Sequence, residues 1–125
     1  MGLTHASIRI EHTAAQRAMD VEALVDSGSV FLTVPAHVAI QLGFDLSVAS
    51  REVVRADGSH TTVPMIGPLR VRFGDRHCDL SALVLGDEPL FGAVPMEMMD
   101  LVVHPATQLL SVNPASPYVP TALAK

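Results

Sequence analysis

Residues 18 to 25, AMDVEALV, grow progressively apolar and stop at an acid, Asp26, with Ser27, Gly28 and Ser29 directly behind it. A strand of this kind points into a core, and desolvation there favours the neutral carboxylic acid by as much as a few pKa units. Asp26 therefore needs compensation, and its neighbours offer it. Ser27 and Ser29 carry hydroxyls that can donate to a carboxylate, and Gly28 admits close backbone approach or a positive φ. Two readings stand at this point: a tight turn in which Asp26 bonds its own backbone, or a polar site prepared around a carboxylate.

The flanking sequence alternates in a way that favours strands. Thr4, Ala6, Ile8 and Ile10 recur with the period of two expected of a half-buried strand, and with the run ending at Asp26 they predict a hairpin. VPAHVAIQLGF, residues 34 to 44, predicts a short helix with Pro35 in its first turn, apolar contacts from Val38, Ile40 and Leu42, and Gly43 as its cap. Glu52 to Ala56 and Ser59 to Ile66 predict a hairpin joined at Asp57-Gly58, the dipeptide favoured where both central turn residues take positive φ. Leu69 to Phe73 and His77 to Leu85 predict a second one around Gly74-Asp75-Arg76.

Leu90-Phe91-Gly92 is an apolar pair closing on glycine, Pro95 to Asp100 reads as one or two helical turns, and Leu101 to Val103 with Gln108 to Val112 predicts a last hairpin. The expected class is all-β with short helical interruptions. A strand ending at Gly28 before a Pro-initiated helix is echoed by one ending at Gly92 before another, as two matching half-units would be. The domain is expected over residues 1–113, and 114–125, with Pro114, Pro117 and Pro120, reads as an extended tail.

A chain of 125 residues has room for one domain that buries roughly two-thirds of its unfolded surface. At 49% hydrophobic with no Trp and 4% aromatic residues, the core must be built from Val, Leu, Ile, Ala and Met. The net charge is −5 and the eight Lys and Arg are scattered, which excludes nucleic acid as a partner. Cys78 stands alone and reads as an inert core residue; with no disulfide to form, the cytoplasm is the default location. No window approaches the about 18 consecutive apolar residues of a membrane span. No two of the six histidines stand at i, i+4, and His77-Cys78-Asp79 on a strand point to opposite faces, so no metal or other cofactor is expected. Met96, Met98 and Met99 read as core filling.

The elements occur in an order that resembles the retropepsin-like aspartic proteases, especially the short single-domain bacterial ones, over residues 6 to 113. LVDSG at 24 to 28 matches the family's Asp-Thr/Ser-Gly triplet, with Ser27 in the Thr position. VPAHVAIQLGF is similar to the helix that follows the triplet, VVRADGSHTTVPMIGPL at 53 to 69 to the flap hairpin, and Leu90-Phe91-Gly92 to the hydrophobic-hydrophobic-Gly element that supports the active-site loop.

The resemblance implies an acid-protease half-barrel active as a symmetric homodimer, since only one triplet occurs, and an endopeptidase in which two Asp26 carboxylates, one from each subunit, activate a water. It implies that Ser27 bonds across the interface, that the Gly28 N–H and the Ser29 hydroxyl hold the carboxylate, and that activity is greatest on the acid side of neutrality. The tip residues Ala56, Asp57, Gly58 and Ser59 would close over an extended protein or peptide substrate. Asp57 departs from Gly-rich viral flaps and is either a turn former or a charge that disfavours acidic substrates. The alternative is a retropepsin-like dimerisation or peptide-binding module that does not cleave.

Overall fold

A computed structural model of the chain describes residues 3–122, leaving 1, 2 and the last three residues of the tail outside. The first hairpin forms as its alternation predicts. β1 (Thr4–His12) buries Thr4, Ala6, Ile8 and Ile10 and pairs antiparallel with β2 (Arg17–Val25), from Thr4 opposite Val25 to His12 opposite Arg17. Outward-facing Arg9 and Asp20 stand opposite each other at 3.1 Å, an exposed pair worth little.

β3 (Leu32–Val34) is buried throughout and leads into α1 (Ala36–Gln41). Pro35 sits at the N-cap, one position before the helix. Val38 and Leu42 are buried, whereas Ile40 is 59% exposed, because a residue two positions from Val38 or Leu42 faces away from them. Gly43, at φ +84, closes α1: its N–H donates to Ile40 O and the Phe44 N–H to Ala39 O, the paired bonds of a Schellman end. His12 clamps this end, its Nδ1 2.7 Å from Leu42 O and its ring stacked 3.8 Å from Phe44.

β4 (Ser50–Val54), β5 (His60–Phe73) and β6 (Arg76–Val84) form an antiparallel meander. β5 is one strand of 14 residues, although the sequence reads as two runs; Gly67-Pro68 interrupts the register between Ile66 and Leu69 without ending the strand. The β4–β5 turn also differs from expectation. Only Gly58, not Asp57, takes positive φ, at +86, and the bonds Gly58 N–H to Arg55 O and Arg55 N–H to Ser59 O define a three-residue loop with a glycine bulge. The Asp57 carboxylate causes the difference: it accepts from the Ser59 N–H and hydroxyl, which holds Asp57 out of the left-handed region.

β7 (Leu90–Phe91) precedes α2 (Ala93–Met99), which starts two residues before the expected Pro95 with Gly92 at its N-cap. Met96 and Met99 fill the core as expected, but Met98 is 44% exposed. β8 (Leu101–His104) and β9 (Leu109–Val112) form a separate hairpin.

Six strands close a barrel in the order β1-β2-β7-β3-β6-β5, with β5 returning to β1 and β4 extending from β5. The core inside is Ile10, Leu32, Val34, Leu69, Val71 and Met99 around the single large ring of Phe91. Each such side chain contributes about 1.5–3 kcal/mol by leaving water. The order is the same when read backwards with β1 exchanged for β5, β2 for β6 and β7 for β3. Parallel pairs β2–β7 and β3–β6 are thereby matched, and β3 and β7, each followed by a helix, run antiparallel at the centre. Two half-units do exist, but in another register than the sequence suggested: Gly92 corresponds to Pro35, both N-caps, and the Asp26 loop to residues 85–89.

The tail does not simply extend. Buried Arg76 donates to the carbonyls of Met99 and Asp100, both at 2.9 Å, and of Ser116. Asp100, left-handed at the end of α2 with φ 55, accepts from the Asn113 amide at 3.0 Å, the Ser116 hydroxyl and the Thr121 N–H at 2.9 Å. Two charged side chains thus hold residues 113–121 against the end of α2.

Candidate active site

The apolar end of β2 runs parallel to β7, Leu24 beside Leu90 and Val25 beside Phe91, and the pairing reaches one residue further: the Asp26 N–H donates to Phe91 O at 3.1 Å. The chain then turns. The Ser29 N–H returns to Asp26 O at 3.1 Å, and the Gly28 N–H donates to Asp26 Oδ1 at 3.0 Å. The geometry is that of the tight turn, in which Asp26 bonds its own backbone, and the same local bond orients the carboxylate. Across the loop, Ala93 and Val94 donate to the carbonyls of Ser29 and Val30 at 2.8 and 2.9 Å.

Gly92 explains why the supporting element ends in glycine. Its φ is an ordinary −89, so conformational freedom is not the reason. A β-carbon there would stand 2.4 Å from Phe31 O and 2.6 Å from Ser29 O. The Asp26 loop lies on bare backbone.

Two expectations are corrected. The last fully buried residue of β2 is Ala23, and the chain leaves the core before Asp26, so Asp26, Ser27 and Gly28 are all exposed in the single chain and the carboxylate is not desolvated. Among the described residues the Ser29 hydroxyl makes no bond to Asp26 and the Gly28 N–H alone donates to the carboxylate; Ser29 lines the cleft beside the loop.

That cleft has a volume of about 340 Å³ and lies between the Asp26 loop and β4. Ser29, Val30 and Phe31 form one side, Arg51 to Arg55 the other, and Thr33, Leu83 and Leu85 also line it. The tip residues Ala56, Asp57, Gly58 and Ser59 are exposed, and the wall of the cleft is the strand that leads to them. Asp57 is engaged as a turn former: its carboxyl is held below the ordinary value by the Ser59 hydroxyl and N–H.

Sequence reasoning did not single out Arg51, Phe31 or Thr33. The Arg51 guanidinium lies 4.7 Å from the centre of the Phe31 ring, and the Thr33 hydroxyl is buried with no partner among the described residues. The signal for the first was present, since Arg51, Val53 and Arg55 alternate along β4 and share a face. Cys78 is buried, between exposed His77 and Asp79, and burial pushes its thiol up to about 11. Among the described residues no group of three His, Cys, Asp or Glu is placed to hold a metal, and no helix is long and apolar enough to cross a membrane.

A closed barrel of interlocked parallel pairs, an Asp-Ser-Gly loop resting on a glycine, and a hairpin standing over the adjoining cleft make up a retropepsin-like fold. Among solved structures the chain is similar to the retroviral protease-like domain of Ddi1 from Leishmania major, with a TM-score of 0.62 and 14% identity over 91% of this chain and 90% of that one. No protein-family model matches the sequence, nor does any curated protein.

Proposed function

We propose that the chain is an aspartic endopeptidase working as a symmetric homodimer, with no cofactor. The observation that carries this reading is the placement of Asp26: its carboxylate is oriented by the Gly28 N–H at 3.0 Å, has no other hydrogen-bond partner among the described residues, and belongs to the loop whose next residues, Ser29 to Phe31, line the cleft. Exposure of Asp26, Ser27 and Gly28 together, beside a Val30 that is 54% exposed, leaves a surface for a second copy to cover.

In such a dimer two carboxylates stand side by side across the two-fold axis and share one proton, as paired aspartates do in aspartic proteases generally. The ionised member takes a proton from the bound water as it attacks the peptide carbonyl. The protonated member gives its proton to the carbonyl oxygen. The pair then returns a proton to the departing amine. Ser27 ties the two loops together, and the hairpin tip from Ala56 to Ser59 covers the substrate and excludes water.

The test is cleavage of an unfolded protein substrate by the wild type and by Asp26→Asn, with the molar mass of each measured in solution. The wild type is expected to cleave and the variant to lose cleavage while staying a dimer with an unchanged thermal midpoint. Equal cleavage by the variant, or a monomer at every concentration tested, overturns the reading. Binding of peptides without cleavage by either protein identifies the non-catalytic module instead.

A further inference from the structure

We propose that Arg51 makes the cleft selective for extended peptides carrying an acidic side chain next to an apolar one. The inference rests on reading the cleft as a peptide-binding site, whether or not cleavage follows.

β4 separates its charges by face. Glu52 and Val54 share one face with His60, which lies directly opposite Val54, and Glu52 is paired there with His60 Nδ1 at 2.7 Å. Arg51, Val53 and Arg55 share the other face, with Arg51 opposite buried Val63. Glu52 also borders the cleft, but its carboxylate is taken up by His60, and the cations of this segment are Arg51 and Arg55. Arg55 shares its charge with Asp57 at the turn. Arg51 has no carboxylate partner among the described residues.

Stacking leaves Arg51 ready for a ligand. Its Cζ lies 4.7 Å from the centre of the Phe31 ring, and among the described residues none of its N–H groups has a hydrogen-bond partner, which leaves them open to a carboxylate. A guanidinium already held on an aromatic face gives up little rotamer freedom when it binds, and its fork matches a carboxylate with two parallel bonds.

Apolar space adjoins this group on both sides. Arg51, Phe31 and Leu83 line both the main cleft and a second cavity of about 160 Å³, whose other walls include Met65, Leu80, Ala82 and Val94. An extended peptide crossing the stack thus sets one side chain into an apolar cavity and offers its neighbour on that face to Arg51.

The test uses full-length protein carrying Asp26→Asn, so that bound peptides stay intact, immobilised and exposed to a random octapeptide library whose retained members are sequenced by mass spectrometry. Asp and Glu are expected to be enriched about tenfold over Asn and Gln at one fixed offset from a Val, Leu or Phe, a ratio within reach of a single charge-assisted pair. Arg51→Gln, on an exposed strand position and checked for an unchanged melting curve, abolishes the enrichment; Arg51→Glu turns it into enrichment of Lys and Arg. Acid enrichment that survives Arg51→Gln, or retention with no acid preference, overturns the proposal, as does retention of no peptide at all. Wild-type cleavage is scored separately. Cleavage without acid preference sinks this proposal alone, and Arg51-dependent binding without cleavage sinks the endopeptidase alone.

Discussion

The backbone of Gly92 supports that of Phe31 so closely that a β-carbon on the glycine would come within 2.4 Å of the Phe31 carbonyl oxygen. Both partners are backbone, so neither can move aside by changing rotamer. Gly92→Ala is expected to cost about 3 kcal/mol, the upper end for overpacking, read as a lowered urea midpoint. It should also displace the Asp26 loop and lower any cleavage by the remaining folded protein. A variant as stable as the wild type would refute the support role.

Arg76 binds three carbonyls from two separate segments, Met99 and Asp100 on one side and Ser116 on the other. Arg76→Met fills similar volume but strands those oxygens, and about 3 kcal/mol of stability should be lost. Hydrogen exchange should speed up over residues 113–121 more than over the barrel strands. Loss confined to the barrel would show that the tail does not depend on Arg76.

Asp100 makes the same attachment sensitive to acid. Its carboxyl is held below the ordinary value, chiefly by the Ser116 hydroxyl, then by the Asn113 amide and the Thr121 N–H. A carboxyl lowered by folding contributes stability in full above its unfolded pKa, near about 4, and loses it as pH falls through the lower folded value. Protection of the Thr121 amide should therefore hold at about pH 6 and decline below about pH 4, and Asp100→Asn should remove that dependence. A pH-independent amide in the wild type would contradict the assignment.

Cys78 should be silent in the native protein. With its thiol raised to about 11, first by burial and then by the Asp79 carboxylate, little thiolate exists at neutral pH and the sulfur is enclosed. Labelling by a maleimide at about pH 8 should proceed only at the rate of unfolding and become immediate in denaturant. Rapid native labelling would show that β6 opens locally.

The features legible in the sequence are those with local causes. The alternation of Thr4, Ala6, Ile8 and Ile10 reports a single buried face, and Gly43 reports one left-handed residue, so each was readable from a few neighbours. The same locality explains the misreadings. Ile40 is apolar but faces solvent, and Gly67-Pro68 carries the composition of a break inside a continuous strand. The bond from the Asp26 N–H to Phe91 O joins residues far apart in the chain and leaves no periodic trace. The exposure of Asp26 depends on where β2 leaves the barrel, which the apolar run of Ala23 to Val25 does not mark. Arg76 and Asp100 look like ordinary turn and helix-end residues until the tail folds back onto them.

The mirrored strand order has a mechanical consequence. Each half of the chain lends its short strand to the other, β7 to β2 and β3 to β6, so four of the barrel's six seams, β2–β7, β7–β3, β3–β6 and β5–β1, join the first half to the second. A cut at the exposed tip, between Asp57 and Gly58, would sever the covalent chain without releasing either piece. The two fragments, made separately, should be insoluble or unstructured alone and should assemble only when mixed, like two hands that can be unclasped only by opening both.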